Sequence, residues 1–210
     1  MTILPAVQTR HTVPVAAPAP APGFPELMRA SRFPDDLRIL AFAGIIARSL
    51  AARRRPLIRG MTEATFQTLL RSCFPGVMLQ NGSSIGTDVD GLDEFDDLLN
   101  LLLDHRANPG DANYWLSCAL ASASMHENHL WQDMGLPSRP LLSQLLHENF
   151  PALAAQNTGD MKWKKFFYRQ LCQRAGVPIC KSPNCADCSD YALCFSPQHS
   201  QVAGPAQTWR

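Results

Sequence analysis

The chain has 210 residues, 46% of them hydrophobic, and a formal net charge of +1 at pH 7. It is long enough to bury a core without disulfide staples, carries no global charge that would draw it to nucleic acid or a membrane surface, and has no apolar run long enough to span a bilayer. No charged start leads into an apolar run and a cleavage site, so the expected compartment is the cytoplasm. Thiols stay reduced there, and clustered cysteines act as metal ligands or redox groups.

Residues 1–25 read as a disordered arm, because Pro5, Pro14, Pro18, Pro20, Pro22 and Pro25, interleaved with Ala and Val, remove backbone donors and favour extended conformations. A first helix is expected over Pro34 to Ala52, with Pro-Asp-Asp in its first turn and Leu37, Leu40, Ala41, Phe42, Ile45 and Ile46 at helical spacing. Thr62 caps a second helix, which carries Phe66, Leu69 and Leu70 to Cys73 and stops at Pro75-Gly76. Asn81 to Gly91 is a Gly-, Ser- and Asp-rich loop. A third helix holds Phe95, Leu98, Leu99, Leu102 and Leu103 and ends near Asn108-Pro109-Gly110; a fourth runs from about Asp111 through Trp115, Leu116, Ala119 and Leu120. Ser138 caps the fifth, with Leu141, Leu142, Leu145 and Leu146 inside, and the sixth spans about Asp160 to Arg174 and ends at Gly176. No period-two run bounded by hairpin turns occurs, so the fold class is all-α: one helical domain of about six helices over residues 26–198, with a cysteine-rich loop at 180–194 and a flexible tail at 199–210.

Charge is unevenly placed. Asp88, Asp90, Asp93, Glu94, Asp96, Asp97 and Asp104 form an acidic block, while Lys162, Lys164, Lys165, Arg169, Arg174 and Lys181 form a basic one. The acidic residues from Asp93 to Asp97 suit the solvated first turns of the third helix, where negative charge favours the dipole. At 100° per residue the sixth helix places Trp163, Phe166, Phe167, Gln170 and Leu171 on one side and Lys162, Lys165, Tyr168, Arg169 and Cys172 on the other. The second face reads either as a solvated charged surface or as a cationic neighbour to an anionic metal site. It could also attract an oxyanion such as molybdate or phosphate, or an acidic partner.

Beyond that helix, Cys180, Cys185, Cys188 and Cys194 follow the pattern C-x4-C-x2-C-x5-C. Zinc is well served by four cysteines, yet it commonly shows two C-x2-C knuckles across a longer loop, and here there is one such pair. Uneven gaps, with Pro183 in the first, let one strap of chain wrap a compact iron–sulfur cluster. The bacterial ferredoxin run has shorter gaps, and the plant type matches only through C-x4-C-x2-C. Endonuclease III-like DNA glycosylases end in C-x6-C-x2-C-x5-C, which resembles this strap apart from the first gap. They also need a glycine-rich hairpin, a catalytic Lys or Asp and a basic DNA-binding surface, where this chain offers Gly135-Leu136-Pro137 and near-zero net charge. The C-x3-C-x2-C loop of radical S-adenosylmethionine chemistry is absent.

Three segments taken together are more specific. Met161-Lys162-Trp163-Lys164-Lys165-Phe166-Phe167-Tyr168-Arg169-Gln170-Leu171-Cys172, then the four-cysteine strap ending in Cys194-Phe195, and upstream His129-Leu130-Trp131-Gln132-Asp133-Met134-Gly135-Leu136, resemble the NifQ family of nitrogen-fixation proteins. The resemblance covers Phe33 to Pro197 in helical layout, with its specific motifs from His129 onward; after Cys194-Phe195 the family tends toward Gly-Pro-acidic, whereas this chain has Ser196-Pro197-Gln198. It implies an iron–sulfur cluster able to include molybdenum, with Cys180, Cys185, Cys188 and Cys194 as ligands. The implied role is a non-catalytic carrier that supplies molybdenum for the nitrogenase iron–molybdenum cofactor. The implied partners are cofactor-assembly proteins, the NifEN scaffold and NifH, with molybdate or another molybdenum donor, and neither nucleic acid nor membrane.

Residues expected around the cofactor are Cys172, Lys165, Arg169 and His129. Cys172, eight residues before Cys180, is either an extra ligand or a buried thiol. His129, with His126 three residues earlier at helical spacing, is either a ligand or half of a hydrogen-bonded structural pair. Cys73 and Cys118 read as core thiols, and Trp115 and Trp131 as packing. A second function class stays open at this point: a zinc-stapled helical adaptor that binds a partner through its basic face.

Overall fold

The computed structural model describes residues 22–82 and 94–176. Among the described residues there are nine helices and no strand: α1 (Phe24–Arg29), α2 (Leu37–Ala51), α3 (Glu63–Cys73), α4 (Phe95–His105), α5 (Asp111–Ser124), α6 (Leu130–Asp133), α7 (Arg139–Asn149), α8 (Pro151–Ala154) and α9 (Trp163–Arg174). The six helices expected from periodicity are α2, α3, α4, α5, α7 and α9. The three additional ones have six, four and four residues, too short to establish a 3.6-residue period. The first begins at Phe24-Pro25, inside the stretch read as an arm, and seats Leu27 fully in the core.

Capping explains where two helices start. Asp36 does not lie in the first turn of α2 but caps it, its carboxylate accepting from the Arg38 backbone N–H at 2.8 Å and pairing with the Arg38 guanidinium. The last helix starts at Trp163 rather than near Asp160, because Asp160 has φ +46° and its carboxylate and carbonyl are both held by Arg139. Thr62 caps α3 as expected, accepting from Thr65 N at 3.2 Å. Ser138 occupies the N-cap of α7 with its side chain making no cap bond. Gly176 terminates α9 at φ +66°.

The central element is α5. Every residue from Trp115 to Ser124 is buried, which a helix rich in Ala and Ser permits because small side chains let α2 and α4 approach closely. Its buried hydroxyls remain satisfied: Ser117 and Ser124 donate to the carbonyls of Asn113 and Leu120, one turn back, at 2.8 Å. Phe42 on α2 meets Trp115 edge-on at 6.5 Å, and Cys73 and Cys118 are core thiols, each pushed up to about 11 by burial.

A glycine crossing locks α2 to the turn after α6. A Cβ on Gly135 would lie 2.6 Å from the Gly44 Cα, and one on Gly44 would strike the Met134 carbonyl oxygen. Only two glycines allow backbone to pass backbone here, and Gly135 also adopts φ +66°. The crossing fixes the His129–Leu136 segment against the core. No helix of the described residues is long and apolar enough to cross a membrane.

Candidate metal centre

Cys180, Cys185, Cys188 and Cys194 lie outside the described residues, as do Lys181, Asp88, Asp90 and Asp93. What is described is the platform that leads into the strap. One side of α9 buries Trp163, Phe166 and Phe167, whose rings lie 5.7 to 6.1 Å apart. The Trp163 indole donates to Ser143 Oγ at 2.9 Å, and its ring meets His147 edge-on, so α9 is anchored on α7 as well as on α4. The opposite stripe carries Lys165, Tyr168 and Cys172, all half-buried, and exposed Arg169. Lys165, Arg169 and Cys172 are spaced i, i+4 and i+7, so they share that stripe.

The other described members of the basic block, Lys162, Lys164 and Arg174, are buried or paired. Lys162 is not on a solvated face; it is buried ahead of the first turn. Arg174 pairs with Asp104 at 2.9 Å and so ties the end of α9 to α4. Lys164 enters the protein, and its ammonium donates to the carbonyls of His126 at 2.5 Å and Asn128 at 2.6 Å and to Asp133 Oδ2 at 2.7 Å. Three acceptors use all three of its protons. Asp133 is 2% exposed, and its second oxygen accepts from Asn128 Nδ2 at 3.0 Å. Burial pulls the Lys164 pKa down, and the Asp133 carboxylate works against that shift. The clasp was not expected from sequence. Its signal was a lone carboxylate, Asp133, inside the mainly apolar run Leu130 to Leu136, which calls for a buried cation.

The two histidines do not share a helical face. His126 follows the C-cap of α5, and His129 is the N-cap of α6, with its backbone N–H donating to Gln132 Oε1 at 3.2 Å. Both are half-buried. The clasp brings their segment to the first turn of α9, whereas Cys172 lies in the last; eight residues separate Lys164 from Cys172, about 12 Å along the axis. The two candidate extra ligands therefore belong to opposite ends of α9. Among the described residues no group of three or more His, Cys, Asp or Glu side chains could hold a metal ion.

His126 has a different neighbour. Arg54 Nη1 approaches its Nδ1 at 3.3 Å, and because a guanidinium only donates, Nδ1 must accept. The ring is then neutral with its hydrogen on Nε2. Burial, followed by the charge of Arg54, lowers the His126 pKa, in agreement with that tautomer. Arg54 belongs to Arg53-Arg54-Arg55, a run visible in the sequence that the periodicity argument passed over.

A domain that is helical throughout its described residues, followed in sequence by a four-cysteine strap, defines the class of protein, and comparison with known proteins gives the family. The NifQ profile matches residues 41–196. Protein NifQ of Azotobacter vinelandii is 38% identical over 152 residues, 67% of this chain and 78% of that protein. Protein NifQ of Rhodobacter capsulatus is 53% identical over 83 residues, and that of Klebsiella pneumoniae 48% over 77; each match spans 46% of the relative and 40% or 36% of this chain. No solved structure matches. The chain belongs to the NifQ family, and its role lies in nitrogen fixation and nitrogenase cofactor biosynthesis.

Proposed function

We propose that this protein is an iron–sulfur carrier that processes molybdenum and donates it for synthesis of the nitrogenase iron–molybdenum cofactor. The observation that carries the reading is the placement of Cys172, half-buried on one stripe of α9 with Lys165 and Arg169, on the helix that leads directly into the strap. The donor set fits the group: four soft thiolates suit iron and sulfide, and they would leave an anionic cluster whose charge the neighbouring Lys165 and Arg169 offset. When bound, the cluster supplies sulfide ligands and electrons to molybdenum, which is cargo. Cys180, Cys185, Cys188 and Cys194 would hold it, with Cys172 or His129 as the further ligand on the cargo side.

On this reading the protein has no catalytic constellation of its own. It docks transiently on cofactor-assembly proteins, the NifEN scaffold and NifH, and receives molybdenum from molybdate or another donor. Serine at each strap cysteine, purified without oxygen, tests the ligand set: iron, acid-labile sulfide and visible absorbance should fall together in every variant. Cys172→Ala and His129→Ala should separate the remaining roles, the true extra ligand lowering molybdenum per protein while iron stays constant. Four strap variants that all keep their full iron and sulfide would sink the reading.

A further inference from the structure

A second group of positive charge lies away from the basic block of α9, in which Lys165 and Arg169 remain beside Cys172. Lys164 is saturated, Lys162 is buried and Arg174 is paired. At the end of α2, by contrast, Arg53, Arg54 and Arg55 form no ion pair with any carboxylate among the described residues, and Arg53 and Arg55 are exposed. The carboxylate nearest in the network, Asp133, is already held by Lys164 and Asn128.

Three features make this more than a solvated charge run. The helix end is a built turn: Arg54 N donates to Ser49 O at 2.8 Å and Arg53 N to Leu50 O at 3.0 Å, the paired bonds of a Schellman motif. Ser49 Oγ, donating to Leu57 O at 2.9 Å, closes the loop across its base. Arg53 also takes the left-handed position of that motif at φ +54°, where glycine would fit without steric cost. A non-glycine residue in that conformation is uncommon, which makes the Arg53 side chain a candidate for a role. The Arg54–His126 pair, finally, presents donors only. Nδ1 of His126 is engaged by the guanidinium, so the ring carries its N–H at Nε2, and the Arg54 guanidinium keeps further N–H groups that bond no carboxylate among the described residues.

We propose that Arg53, Arg54 and the Nε2–H of His126 form a receiving site for a tetrahedral oxyanion, with Lys164 and Asp133 holding the histidine segment in place. Donor groups that pair with no carboxylate among the described residues, beside an Asp133 already held by Lys164 and Asn128, suit an anion and repel a metal cation. This makes His126 a hydrogen-bond donor to an oxo group and not a metal ligand. That the oxyanion is molybdate rests on the function proposed above; the oxyanion site itself does not.

The test is equilibrium dialysis of the full-length chain against molybdate, counting uptake above the molybdenum already bound, with sulfate and phosphate as competitors. Arg54→Gln should weaken uptake about tenfold or more, the loss expected for a charge-assisted contact. Arg53→Gly should weaken it about threefold while raising the melting temperature, opposite signs that a merely structural arginine would not give. Arg174→Gln, in the α9 block, should leave uptake unchanged. Saturable uptake that survives excess sulfate and phosphate supports molybdate as the ligand; displacement by either supports the site and removes that assignment. Arg54→Gln binding like the unaltered chain, or no saturable uptake at all, overturns the proposal. Iron and sulfide measured on the same samples keep the two ideas apart, since an iron-free chain that still takes up molybdate through Arg54 contradicts only the carrier reading.

Discussion

The two clusters of positive charge in this protein have opposite fates. At the start of α9 the lysines turn inward: Lys164 spends its three protons on two carbonyls and a carboxylate that is 2% exposed, and Lys162 is buried. At the end of α2 three consecutive arginines stay without a carboxylate partner among the described residues, one of them in a left-handed conformation and one with its guanidinium on a neutral histidine. The difference teaches that a charge run acquires its meaning from acceptors far away in sequence. Lys164 is fixed by residues 31 to 38 positions upstream, a carboxylate among them, whereas the distant acceptor that reaches the arginine run is the neutral ring of His126 and no carboxylate among the described residues pairs with it.

The comparison can be broken most forcefully at the clasp. Lys164→Met leaves the buried Asp133 without a counter-charge, and Asp133→Ala leaves the ammonium on two neutral carbonyls; each should cost about 3–5 kcal/mol in chemical denaturation. Replacing both residues with apolar ones should recover part of that loss, because no buried charge is then left alone. A loss under about 1 kcal/mol for either single variant would place the pair with ordinary surface bridges. Gly135→Ala comes next. It must open the Gly44 crossing and also strain a φ of +66°, so about 2–3 kcal/mol is expected, with the His129 segment displaced.

The arginine turn should respond in the other direction. Arg53→Gly relieves the left-handed backbone and should raise stability by about 1 kcal/mol, read as a higher melting temperature. A fall would mean that the side chain supports the fold. The smallest effect belongs to His126, whose pKa is lowered from 6.5 by burial and then by Arg54 and Lys164, with Asp133 opposing. A group that protonates less readily when folded contributes fully above pH 6.5; below it the unfolded chain takes up the proton first, and stability falls until the folded-state pKa is passed. His126→Gln should flatten the pH dependence of the melting temperature in that acid window.

The fold was legible where helices are long. Period and caps placed α2, α3, α4, α5, α7 and α9, and Gly176 ended the last as its left-handed geometry requires. The short helices α1, α6 and α8 gave no periodic signal, and the starts of α2 and α9 shifted because Asp36 and Asp160 hold backbone turns through arginines. The site was legible as a motif but not as a network. Cysteine spacing and the His129 and Met161 segments pointed to the family without coordinates. The hundred-degree wheel, however, put Lys162 on the basic face opposite the packed one, where it is in fact buried, and took Lys164 as one charge among several, since it knows nothing of Asp133 on another element. His126 and His129 looked like an i, i+3 pair only while a helix was assumed to carry both.

The carrier reading turns on what the cysteine strap holds. Metal and sulfide analysis of the protein purified without oxygen decides this: a brown protein containing iron, acid-labile sulfide and molybdenum is predicted, whereas a colourless protein with about one zinc and no sulfide would contradict it and leave the helical adaptor in its place.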